Sequence, residues 1–138
     1  MKTLKEIAPT EDEKAGGWFY HAVSLDMFWV FTPDGKSYLD EKLKAEGVDT
    51  VVIAGLWSDE CIMYTAYAAV NWGYDVVVVR DGVGTATAHQ EKALTLINVT
   101  CGQVLPTAET VEYMKTAFVL GEKGAVKGVT HPDGRKDD

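Results

Sequence analysis

Apolar residues gather along this chain in two short unbroken runs, Val51-Val52-Ile53-Ala54 and Val76 to Val79, each bounded by polar or turn-forming residues. A run of this length without alternation predicts a strand buried on both faces, the habit of parallel sheets. Around the runs the pattern turns helical. Ser37 is placed to cap a short helix whose Leu39 and Leu43 share one face and which Gly47 closes. Ser58 is placed to cap a second helix, with Asp59 and Glu60 in its first turn, that runs to about Trp72 and stops at Gly73. Thr87 and Gln90 have capping-box spacing and predict a third helix through about Val99. Gln103-Val104-Leu105 reads as a shorter strand, and Thr107 or Thr110 opens a last helix to about Thr116. Strands joined by helical crossovers lie parallel, so the two apolar runs are expected to be adjacent, parallel and central. The predicted class is α/β, with a parallel sheet covered on both faces.

The flanks are less regular. Residues 1–17 read as a polar lead-in ending at Gly16-Gly17, and residues 18–31 carry six aromatics, a density that signals buried packing or a contact surface. Thr32-Pro33-Asp34-Gly35 is a turn signal. The tail from Phe118 is expected to add an edge strand before Gly124, and His131 to Asp138 to be loose. At 138 residues the chain has the length of one domain, 1–138.

Composition narrows the function classes. A net charge of −8 argues against nucleic acid, which calls for basic patches. The two cysteines, Cys61 and Cys101, form no CxxC pair, and no His/Cys cluster has metal-ligand spacing, so no metal is expected. Met1 to Lys14 lacks the apolar core of a signal peptide, and no apolar stretch is long enough to span a bilayer, so no membrane partner and a cytoplasmic location are expected. Gly82 and Gly84 lack dinucleotide-fingerprint spacing, and no cofactor is expected.

Open parallel sheets bind ligands beyond the carboxyl ends of their strands. The segment Gly55 to Cys61 leaves such an end and enters a helix. With Ser58 as N-cap, Cys61 would be the third helical residue, its amide free of an intrahelical partner. The positive end of the helix favours thiolate there, and the free amides offer a place for an oxyanion. Asp59 and Glu60 oppose thiolate formation, so a cationic partner is needed. A free cysteine is also among the most buried residue types, and a core role competes with the reactive one. Cys101, before the third strand, reads as core. Asp81 suits a turn, and His89 a helix-face or packing role.

The stretch "GVDTVVIAGLWSDECIMYTAYAAVNWGYDVVVVRDGVGTATAHQEKALTLI" with the following "CGQVLPTAETV" resembles the C-terminal half of the isochorismatase-like cysteine hydrolases, which include nicotinamidases, N-carbamoyl amidases and ureidoacrylate hydrolases. The resemblance implies a three-layer Rossmann-like sandwich with a mostly parallel sheet of fewer strands than a full-length member. Residues 18–47 would be an incomplete N-terminal part, 48–116 the α/β core and 117–138 a tail. It implies that Cys61 is the nucleophile, that Leu56-Trp57 is the family's cis peptide, and that the amides of Trp57 and Cys61 form its oxyanion hole. The family's triad adds an aspartate and a lysine. In one alignment "SLDMFWVFTPDGKSYL" matches the family's opening strand and turn, making Asp26 the general base and Lys36 the nearest lysine, with the middle of the family fold missing. In another, residues 19–47 match that middle, and the part with the aspartate is missing. Trp57 and Phe31 would line the pocket. The implied activity is hydrolysis of a small amide or ureide carbon–nitrogen bond through an acyl-enzyme. The rival is a non-catalytic member, or a subunit that completes its site with another chain. A homo-oligomer acting on a small molecule is expected.

Overall fold

In a computed structural model the structure describes residues 8–120, and within them lie five helices and three strands. The elements run α1 (Glu11–Ala15), α2 (Tyr38–Ala45), β1 (Thr50–Leu56), α3 (Cys61–Asn71), β2 (Asp75–Gly84), α4 (Gln90–Thr100), β3 (Gln103–Leu105) and α5 (Thr107–Leu120). The last helix, expected to end near Thr116, runs on to Leu120 and so takes in Phe118, where the tail strand was expected to begin; the rest of that tail and the loose C-terminus lie outside the described residues.

The strands form one parallel sheet in the order β1-β2-β3. β1 and β2 pair from Thr50↔Asp75 to Ile53↔Val78, and after a bulge in β2 resume at Gly55↔Val83. Helices α3 and α4 touch each other and share one face of the sheet; α5 packs on β2 and β3. The α/β class and the three-layer arrangement follow directly from the crossovers.

Burial separates two runs that look alike in sequence. Val76 to Val79 are all buried, as a central strand flanked by layers on both sides must be. In β1, Val51 and Ile53 pack into the core beside Ile62, Ala66 and Ala69. Val52, at 39% exposure, and Leu56, at 60%, face out instead. The expectation that β1 is central and buried on both faces is therefore corrected. It is an edge strand among the described residues, and α5, which covers β2 and β3, does not reach its second face.

The flanks also depart from expectation. Within the polar lead-in, Thr10 caps α1 through a reciprocal box: the Glu13 amide donates to the Thr10 hydroxyl at 3.2 Å, and the Thr10 amide donates to Glu13 Oε2 at 2.7 Å. Residues 18–31 carry no regular element, but their course is pinned. Phe28, only 1% exposed, stacks against Trp72 and lies beside Tyr74 in the core. The Ser37 hydroxyl donates to the Phe28 carbonyl at 2.8 Å and accepts from the Asp40 amide, so one side chain both anchors the segment and caps α2 as predicted. Trp18, Phe19, Trp29 and Phe31 remain exposed. No described helix is long and apolar enough to cross a membrane.

Candidate active site

The turn from β1 to α3 is shorter in helix, and longer in loop, than the sequence predicts. Residues 58–60 form a turn, and Glu60, with no side-chain cap bond, holds the N-cap position. Ser58 is not the cap: its side chain is fully buried, and its hydroxyl has no hydrogen-bond partner among the described residues. Its amide donates across the sheet end to the Gly84 carbonyl at 2.9 Å. Cys61 thus becomes the first helical residue rather than the third. Its amide still counts among the four opening amides of a helix, which lack intrahelical acceptors.

The peptide bond between Leu56 and Trp57 is cis. The Trp57 carbonyl accepts from the amides of Glu60 and Ile62, each at 3.1 Å, which closes the turn around Cys61. The amides of Trp57 and Cys61 donate to no acceptor among the described residues. Cys61 itself is half-buried and free, while Cys101 is buried, and burial pushes its thiol pKa up. Cys101 belongs to the core cluster.

Asp26 approaches this helix through its neighbour. The Met27 amide donates to the Thr65 hydroxyl at 3.2 Å. Thr65 stands four residues after Cys61, hence on the same face of α3 and about one 5.4 Å turn along. The Asp26 carboxylate accepts from the Phe28 amide at 2.8 Å. Burial raises its pKa, and that amide bond partly offsets the rise. Tyr20 flanks it: burial, then the Asp26 charge, push the phenol up to about 12, and its hydroxyl donates to the Met27 carbonyl at 3.0 Å.

The other predicted residues lie in the hairpin 31–37, which Phe31 and Ser37 close as an antiparallel bridge around the predicted turn. Lys36 is exposed there, with its ammonium 3.3 Å from Glu41 and 3.5 Å from Asp34. Phe31 packs edge-on against Trp29, their ring centroids 5.0 Å apart. Trp57 is partly exposed at the mouth of the turn. The structure thus ties the residue after Asp26 to the helix of Cys61, while Lys36 pairs with Asp34 and Glu41 and Phe31 packs on Trp29.

Sequence reading missed a second link to the Cys61 turn. Asp59, expected to act as a first-turn helix acid, lies before the helix and accepts hydrogen bonds from the hydroxyls of Thr85 and Thr87. Those donors, Thr85 first, hold its carboxyl below the usual carboxylate range. No local signal in the sequence marked this link, because Thr85 and Thr87 lie beyond the end of β2 and meet Asp59 only when the two strand exits come together. Thr87 is accordingly not the cap of α4; His89 is at that position, and its amide donates to the Thr87 hydroxyl at 3.1 Å. Asp81 instead accepts from the amide and hydroxyl of Thr107, both at 2.8 Å, and so holds the start of α5 to the end of β2.

A nicotinamidase of Escherichia coli strain K12 is 29% identical over 83 residues, 56% of this chain and 39% of that protein. An uncharacterized isochorismatase family protein of Bacillus subtilis strain 168 is 35% identical over 89 residues, 64% of this chain and 43% of the relative. The chain therefore spans about two-fifths of the length of these curated relatives. Among solved structures, an isochorismatase-like hydrolase from Alkaliphilus metalliredigens superposes with a TM-score of 0.52 at 31% identity, over 55% of this chain and 42% of that one. The model of the isochorismatase domain matches residues 2–109, a stretch that takes in the strand, turn and helix around Cys61, and this chain belongs to the isochorismatase family.

Proposed function

We propose that this chain hydrolyses a carbon–nitrogen bond in a small amide or ureide, with Cys61 as nucleophile. One observation carries the reading: Cys61 opens α3 beyond the carboxyl end of β1, and its own amide and that of Trp57 have no acceptor among the described residues. In the proposed reaction the Cys61 thiol gives its proton to the Asp26 carboxylate, and its sulfur bonds to the substrate carbonyl carbon. The carbonyl oxygen takes the negative charge and accepts from the Trp57 and Cys61 amides. The carbon–nitrogen bond then breaks, the leaving nitrogen takes the proton from Asp26, and water hydrolyses the thioester to restore the thiol. A raised Asp26 pKa suits a group that must accept and return a proton. Lys36 is assigned the cation that favours thiolate, a role that requires it to exchange its present carboxylate partners. Trp57 and Phe31 are assigned to the pocket wall.

Turnover of a panel of small amides and ureides tests the assignment. Cys61→Ala should abolish it, Asp26→Asn should slow it by roughly a hundredfold or more, and Lys36→Gln should slow it less. Undiminished turnover in folded Cys61→Ala would remove the cysteine mechanism altogether.

A second reading has its own support. The outer edge of β1 has no strand partner among the described residues, and the aromatics Trp29 and Phe31 are exposed. In that reading a second copy of the chain covers this side and completes the site.

A further inference from the structure

Asp59 lies two residues before Cys61, and its carboxylate is turned to another task than capping the helix. Both of its oxygens are used by the segment that leaves β2, Oδ1 accepting from the Thr85 hydroxyl and Oδ2 from the Thr87 hydroxyl. The two hydroxyls are themselves fixed. Thr85 Oγ1 accepts from the Thr87 amide at 3.3 Å, and Thr87 Oγ1 accepts from the His89 amide at 3.1 Å. The bond from the Ser58 amide to the Gly84 carbonyl runs beside this pair. Two consecutive residues of the Cys61 turn are therefore tied to the exit of β2. Two hydroxyl donors need two acceptors in one plane, which a carboxylate supplies; asparagine offers one acceptor and one donor, and glutamate is a methylene too long.

We infer that Asp59 is a positioning residue for Cys61: clamped by Thr85 and Thr87, it sets the turn from which the thiol and the amides of Trp57 and Cys61 meet a carbonyl together. This rests on the reading of Cys61 as nucleophile.

Two probes of Cys61 separate position from stability. Iodoacetamide reads the ionisation and access of the thiol and makes no use of an oxyanion hole. Propanal adds reversibly: sulfur bonds to the aldehyde carbon, the thiol proton ends on the former carbonyl oxygen, and the product gains from both amides. The concentration of propanal that halves alkylation of Cys61, read by mass spectrometry with Cys101 as internal reference, is measured for the whole chain. Asp59→Ala and the double variant Thr85→Val/Thr87→Val should need about tenfold more propanal. Their rates without aldehyde should stay within about threefold of the parent. Replacing the same threonines by serine should restore the parent value. Valine matches threonine in shape at two partly exposed sites, so the double variant carries the test if Asp59→Ala does not fold. A parent protected by propanal with valine and alanine variants protected equally overturns the role of Asp59 alone. A parent whose Cys61 is never protected overturns the nucleophile reading and this inference with it.

Discussion

Asp26 sits in a place that costs stability when it is ionised. Burial raises its folded pKa above the unfolded value, so the folded state binds the proton more tightly and stability falls as pH rises through the window between the two. Asp26→Asn keeps an oxygen for the Phe28 amide and removes that cost. The variant should melt higher than the parent at pH 7 and no higher at pH 3, as thermal unfolding at the two pH values will read. Gain of stability with loss of turnover is the signature of a residue kept for chemistry rather than for the fold. At this scale the sequence was informative where chemistry is local. The order of strand, polar turn and helical pattern placed Cys61 near a helix start, though as its third residue rather than its first. The Asp59–Thr85–Thr87 link could not, because it spans 26 and 28 residues and depends on how the two strand exits come to lie side by side. The contacts of Lys36 were equally hidden, since Asp34 and Glu41 are ordinary surface residues until the hairpin folds them round it.

Elements were easier to recognise than their surroundings. Both apolar runs are strands, adjacent and parallel, and helices fill the intervals as expected. Their burial differs because a strand's environment is set by what lies beside and above it, and Val51–Ala54 carries no mark of having a neighbour on one side only. Helix starts were misplaced at Ser58 and Thr87 for a related reason: each polar side chain suited a cap, yet one is buried in the turn and the other bonds Asp59. The end of α4 offers a test of packing at this scale. Gly102 passes so close to β2 that a Cβ would stand 2.1 Å from the Val76 carbonyl oxygen. Gly102→Ala must displace backbone and should destabilise by about 3 kcal/mol or more, as overpacking against an unyielding neighbour does. Gly35, with φ of +81° and nothing within 4 Å of the added carbon, isolates the backbone term. Gly35→Ala should cost only about 1 kcal/mol in the same urea titration.

At the scale of the molecule, the sheet is covered unevenly among the described residues. β3 and β2 lie under α5, whereas β1 has no strand on its outer edge among the described residues and exposes Val52 and Leu56; Trp29 and Phe31 are exposed as well. Unpaired edges and apolar faces favour association, while a net charge of −8 opposes it between like copies. Sedimentation equilibrium at micromolar concentration should therefore find a dimer whose share grows as salt screens the charge. Val52→Lys, which places a cation on the bare face of the edge strand, should shift the balance to monomer. A monomer at every ionic strength would rule out the second-copy reading. The sheet order carries a further consequence, for how the chain comes to be folded. The strands among the described residues stand side by side in the order in which they are made, so each crossover helix returns the chain to the strand just completed, and none of these three must be inserted between the other two. Contacts between neighbours in sequence close short loops, which favours rapid formation. As the chain leaves a ribosome, β1 and β2 can pair once α3 has emerged, and β3 needs only to dock on a ledge already built.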